Sequence, residues 1–120
     1  MTGSVISQWP AEVAIRCTQG DLLRERTVRV DREVGGVTTH AVISAVVAQV
    51  RRGRDRSADL VVDLDPSFSG GEVTFGGVVV PTMPGVWWWD LQVTGTFAGD
   101  PFDLTVLAGS FAIGRDVSHV

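Results

Sequence analysis

Residues 85–93 constrain the fold of this chain most, because they place three of its four tryptophans in one extended run after a Pro-Gly turn signal. A β-strand directs alternate side chains to opposite faces. One face of this strand would carry Trp87, Trp89, Leu91 and Val93. The other face would carry Val86, Trp88, Asp90 and Gln92. The first set predicts a core, whereas the indole of Trp88 must either be covered or remain partly in solvent.

The same period-two alternation recurs in runs that turn signals separate at intervals of roughly 8–12 residues. The predicted strands are residues 11–17, 22–30, 37–51, 58–64, 72–80, 86–94 and 103–113. Predicted loops are residues 31–36, 67–71 and 96–102, and a bulge is predicted at Gly76 and Gly77. This spacing predicts an all-β, immunoglobulin-like antiparallel β-sandwich of about seven strands with little or no helix.

Residues 37–51 form the run richest in β-branched side chains. A helix is the alternative for a run with several alanines, but its many valines favour a strand. One predicted face carries Val42, Ser44, Val46, Ala48 and Val50. The opposite face carries Ile43, Ala45, Val47 and Gln49. Because both faces are mostly apolar, we predict a central strand whose Val46, Ala48 and Val50 join the core.

A chain of 120 residues corresponds to one domain. We predict the sandwich over residues 11–114, with an N-terminal arm at 1–10 and a C-terminal tail at 115–120.

The net charge of −4 gives no global basic field for nucleic acid or anionic membranes. A lone cysteine, Cys17, excludes an intramolecular disulfide and favours folding in a reducing compartment, with its side chain acting as a small buried apolar group. The N-terminus lacks a signal-peptide pattern, and no apolar run approaches the roughly 18 residues that span a bilayer.

Chemistry-bearing residues form no recognisable catalytic motif. Asp59, Asp63 and Asp65 resemble a weak calcium ligand set, but their spacing is that of a strand entering a turn. His40 and His119 lie far apart in the sequence. A Ser-His-Asp arrangement stays open, although no Gly-x-Ser-x-Gly elbow occurs. We therefore predict no catalytic residue, no metal ligand set and no cofactor.

An interaction surface is the stronger prediction. Residues 51–56 hold the main charge cluster, which is interpreted as a solvated hairpin tip rather than a nucleic-acid site because the chain is acidic. Trp88 has three interpretations: a protein interface, a side chain covered by its own chain, or a sugar-stacking platform. The predicted interface residues are Trp88, Val86, Gln92, Arg51, Arg52, Arg54 and Arg56.

Several short motifs, in this order and spacing, carry a resemblance to a known family. They are residues 18–21 (TQGD), 26–30 (RTVRV), 45–51 (AVVAQVR), Gly85 with 89–93 (WDLQV), 107–113 (LAGSFAI) and 116–118 (DVS). Together they resemble the immunoglobulin-like domain at the N-terminus of phage baseplate upper proteins, and related small tail and virion proteins.

The resemblance implies a structural role in the tail or baseplate of a virion that assembles in the host cytoplasm. It implies contacts with other virion proteins and with copies of the same chain in a symmetric assembly, and no catalysis or cofactor. A capsid decoration or head-to-tail joining protein is the alternative within that class. A carbohydrate-binding host-adhesion module is a second class. An extracellular bacterial adhesion domain is a third, which the missing signal pattern disfavours.

Overall fold

The computed structural model describes residues 10–55 and 57–115, in which the chain forms ten β-strands and no helix. The strands are β1 (Ala11–Glu12), β2 (Ile15–Thr18), β3 (Arg26–Arg29), β4 (Asp31–Val34), β5 (Val37–Arg51), β6 (Leu60–Asp63), β7 (Ser67–Ser69), β8 (Glu72–Phe75), β9 (Gly85–Phe97) and β10 (Asp100–Gly114). Most of the two predicted terminal arms, and Arg56, lie outside the described residues.

Two sheets enclose the core. The larger sheet has the strand order β1-β10-β9-β5-β4, with β2 also paired to β10 and β6 also paired to β5. The smaller sheet has the order β3-β8-β7. The predicted all-β sandwich is therefore confirmed. The expectation of purely antiparallel strands is wrong for β1 and β2, which run parallel to β10. Alternation reports which face a side chain takes, and it carries no information on strand direction.

Three predicted loops contain strands. Residues 31–36 form β4 and a two-residue turn at Gly35 and Gly36, both at positive φ, which is the turn geometry that joins hairpin strands tightly. Residues 96–102 complete β9 and begin β10 around a turn at Ala98 and Gly99, also at positive φ. Residues 67–71 include the short edge strand β7. Charged and glycine residues suggested loops there, but two-residue turns need only one pair of residues and leave the flanking chain extended.

The predicted bulge at Gly76 and Gly77 is instead a strand end, because β8 stops at Phe75. Both glycines have positive φ, which takes the chain out of the ladder. Their backbone N–H groups donate to the carbonyl oxygens of Leu64 and Leu23. The two glycines thus tie the end of the smaller sheet to neighbouring connections.

A bulge occurs in β5, where its register against β9 shifts between Ile43 and Ala45. The extra residue places Val42 and Ser44 on the exposed side while Ile43 is buried. The predicted common face of Val42 and Ser44 with Val46, Ala48 and Val50 is therefore wrong, because one inserted residue reverses the alternation. Opposite the bulge stands Gly95, where a Cβ atom would overlap the carbonyl oxygen of Val42.

The inner faces of both sheets form one apolar cluster. Of the residues that alternation assigned to the core, the structure buries Trp89, Leu91, Val93, Ala48 and Val50 completely. Trp87 and Val46 are partly buried and pack against the edge of the cluster. The remaining buried members come from every part of the sandwich: Ile15, Leu23, Val30, Ala41, Ile43, Leu64, Val73, Phe75, Val80, Phe97, Val106, Phe111 and Ile113.

The indole N–H of Trp89 is buried in the core and needs a hydrogen-bond acceptor there. Its indole Nε1 donates to the carbonyl oxygen of Val13 at 2.8 Å. Val13 lies in the short connection between β1 and β2, above Gly109 of β10, which pairs directly with Trp89. A Cβ atom at Gly109 would overlap that same carbonyl oxygen. Glycine at this position therefore lets a backbone carbonyl cross β10 and reach the buried indole.

We predict that Gly109→Ala destabilises the protein by about 3 kcal/mol, because the methyl group displaces the Val13 carbonyl and leaves a buried N–H unpaired. The matched control is Gly114→Ala on the same strand, where the nearest atom to a Cβ lies at an ordinary 3.7 Å. That control should change the free energy of unfolding by less than about 0.5 kcal/mol. Urea denaturation measures both, and equal midpoints for the two variants would contradict the close approach.

Candidate functional site

The tryptophan strand and the arginine-rich turn meet at one end of the larger sheet. Arg51, the last residue of β5, pairs in register with Trp88 of β9. The turn after β5 then brings Arg54 over the Trp88 ring, with 4.1 Å from its guanidinium carbon to the ring centre. Arg52 lies 5.7 Å from the centre of the Trp87 ring. We call the described residues Arg51, Arg52, Arg54, Val86 and Trp88 the basic end.

Further contacts hold this turn in place. Arg51 donates to the carbonyl oxygen of Ala58 at 3.0 Å and to the side-chain oxygen of Gln49. Arg52 lies 3.9 Å from a carboxylate oxygen of Asp59, in an exposed ion pair. The backbone N–H of Ser57 donates to Asp55 and lowers the pKa of that carboxyl. The basic end is thus an ordered surface rather than a set of free side chains.

The predicted interface residues differ from one another in how exposed their side chains are. Val86 is 70% exposed on the outer face of the sheet. Trp88 is partly buried because Arg54 stacks on its ring. Gln92 is partly buried in a shallow groove with Val47, Gln49, Arg51 and Asp90. The structure therefore shows that Arg54 of the same chain covers part of the Trp88 ring. The assignment of Trp88 to a protein interface stays a prediction.

The opposite end of the sandwich was not predicted as a site. There the β4–β5 hairpin extends beyond the β9–β10 turn, because β9 pairs with β5 only from Ala41 onward. We call Asp31, Glu33, Val34, Val37 and Asp100 the acidic end. The sequence Val34-Gly35-Gly36-Val37 is a hairpin signal that could have located it.

The base of this hairpin is anchored to the neighbouring turn. Arg32 lies 3.6 Å from a carboxylate oxygen of Asp100, and its guanidinium packs 5.1 Å from the centre of the Phe97 ring. Nδ1 of His40 lies 2.6 Å from a carboxylate oxygen of Asp31. The hairpin tip beyond these contacts exposes the cross-strand pair Val34 and Val37.

The aspartates that the sequence suggested as possible metal ligands make local structural contacts. A carboxylate oxygen of Asp63 accepts from the backbone N–H of Asp65 at 2.8 Å in a turn, while Asp59 lies beside Arg52. Within residues 10–55 and 57–115, no three histidine, cysteine or acidic side chains are grouped so that they could hold a metal ion. In that same part of the chain no helix is long and apolar enough to span a membrane. His119 lies outside the described residues.

Cys17 is partly buried on β2, and its thiol lies 3.6 Å from the carbonyl oxygen of Ala112. Burial, and to a lesser extent the nearby Asp21 carboxylate, raise the pKa of this thiol. The protonated form is therefore favoured at neutral pH, which makes Cys17 a poor nucleophile.

The chain matches no protein-family model and no curated protein.

We predict different roles for two adjacent tryptophans. Trp88→Ala should cost about 1 kcal/mol, since it removes a half-buried ring and one exposed cation–π contact. Trp89→Ala should cost about 3–5 kcal/mol, since that ring is completely buried against Phe75. Thermal and urea unfolding of both variants check this. Comparable losses would mean that Trp88 belongs to the core.

Proposed function

We propose that this chain is a non-enzymatic structural protein of a bacteriophage virion, a tail or baseplate component that acts through protein–protein contacts in a symmetric assembly. The ordered motifs that resemble small virion proteins support the phage setting. The basic end carries the contact role: an exposed Val86 beside Trp88, with Arg54 stacked on the indole. Tryptophan and arginine are the residues most enriched as anchors in protein interfaces.

The geometry of the basic end suits binding. Its guanidinium groups are held by stacking and hydrogen bonds, so their side-chain entropy is already reduced before a partner arrives. Val86 and Trp88 stand on the outer face of a sheet, beside the shallow groove that Arg51 and Gln92 line. Under this proposal the partners are other virion proteins and copies of the chain itself, and the protein resides in the virion after assembly in the host cytoplasm.

A capsid decoration or head-to-tail joining protein would use the same contacts, so it remains the alternative within this class. The carbohydrate-binding alternative finds less support in the contacts. A sugar ring would stack on the exposed face of Trp88, where Arg54 already lies 4.1 Å from the ring centre. Binding would have to displace that guanidinium first.

Immunogold labelling of purified phage particles tests the proposal directly. We expect antibody against this chain to label the tail or baseplate in a regular array, whereas labelling of the head would favour capsid decoration. Particles without the chain would overturn the proposal. Binding to a glycan array that Trp88→Ala abolishes would instead favour the adhesion module.

We further predict that Trp88→Ala reduces incorporation into particles while the isolated chain stays folded. Phe68→Ala is the matched control, because Phe68 is also a partly exposed aromatic side chain but lies on β7 of the smaller sheet. Quantitative mass spectrometry of purified particles measures copy number for each variant. Equal incorporation of the two variants would remove Trp88 from the interface.

A further inference from the structure

The basic end and the acidic end lie at opposite extremes of the molecule. Strand β5 runs between them, from Val37 at the hairpin tip to Arg51 beside Trp88. Its 15 residues at about 3.3 Å each span most of the 57 Å length of the protein. One copy therefore presents both surfaces at once, facing in opposite directions.

The two ends differ in the sign of their charge. Residues 51–59 contain four arginines against two aspartates, within a chain of net charge −4. The acidic end holds three carboxylates, those of Asp31, Glu33 and Asp100, against the guanidinium of Arg32, which pairs with Asp100, while Asp31 contacts His40. Glu33 lies exposed on the outermost part of the hairpin. The two surfaces are therefore electrostatically complementary to each other, and neither is complementary to itself.

Each end also exposes apolar side chains. Val37 at the hairpin tip is 66% exposed beside its cross-strand partner Val34. Val86 at the basic end is exposed to a similar degree and lies close to Trp88. Two valines projecting from a narrow hairpin can pack against the exposed Val86, because contact removes apolar area from water on both sides.

We propose that the basic end of one copy binds the acidic end of a second copy, head to tail. This proposal rests on the proposed function in one respect, because both assume that the chain acts through protein–protein contacts. A heterologous contact of this kind generates a closed ring or an open filament, according to the rotation between neighbours. A symmetric contact of either end with itself would instead bring like charges together.

The size of the two ends sets the expected strength of the contact between copies. The molecule is 25 × 23 Å across, so each end presents a cross-section of about 600 Å², which is smaller than the roughly 800 Å² that each partner buries in a standard interface. A single contact is therefore expected to be weak and salt-sensitive, because exposed charges are screened within about 8 Å at physiological ionic strength. In a closed ring or a particle, neighbouring contacts raise the effective concentration.

Sedimentation velocity of the purified chain tests the proposal. We expect the wild-type weight-average mass to rise with concentration across the micromolar to millimolar range and to fall when salt is added. Arg54→Glu removes the excess positive charge of the basic end and leaves the acidic end intact, and Glu33→Arg removes the excess negative charge of the acidic end and leaves the basic end intact. Each variant alone should remain monomeric. An equimolar mixture should associate again, since the intact acidic end of the Arg54→Glu copy can bind the intact basic end of the Glu33→Arg copy.

Charge changes elsewhere provide the control. Arg26→Glu on β3 and Glu12→Arg on β1 alter the net charge equally but lie away from both ends. These variants should associate as the wild type does. The proposal is overturned if the wild type stays monomeric at low salt up to millimolar concentration, if the mixture fails to associate, or if the control variants abolish association. Immunogold labelling of particles reports independently on the proposed function, so either can fail without the other.

Discussion

The sandwich depends on one crossing point, where the carbonyl of Val13 passes over Gly109 to reach the indole of Trp89. Trp89 is the largest side chain in the core, and its buried N–H would carry a large desolvation penalty without a partner. The same crossing interrupts the first strand into β1 and β2, which pair with β10 on either side of Gly109. This hydrogen bond therefore links the core to the edge of the larger sheet.

Unequal strand lengths explain why the acidic end is available for contact. Strands β5, β9 and β10 have 13–15 residues, whereas β3, β7 and β8 of the smaller sheet have three or four. The smaller sheet is too short to cover the whole length of the larger one. Beyond this covered region the long strands continue as a single layer, so their side chains lack a second sheet to pack against. The exposure of Val34 and Val37 at the hairpin tip follows from this overhang, whereas Val86 is exposed because it lies on the outer face of the larger sheet.

Sequence patterns predicted what depends on alternation alone. They predicted the span of β5 in full, and the residues of the tryptophan strand that the core buries, because period two decides which face meets the second sheet. They missed the bulge near Ser44, since an inserted residue depends on how β5 pairs with the distant Gly95. The meeting of Arg54 with Trp88 was also beyond the pattern, because it depends on the register between β5 and β9. Among these missed features, the hairpin at Gly35 and Gly36 is the one whose local sequence could have predicted it.

The stacking of Arg54 on Trp88 reconciles two interpretations that alternation treated as exclusive. A guanidinium is planar and weakly hydrated, so it can cover an aromatic face while its N–H groups still point outward at its edge. Those donors suit a carboxylate, with which arginine forms two parallel hydrogen bonds. All ten basic residues of this chain are arginines, and a lysine ammonium would offer neither the flat cover nor the paired donors. The covered indole is thus compatible with an interface, because the group that covers it is itself suited to bind an acidic partner.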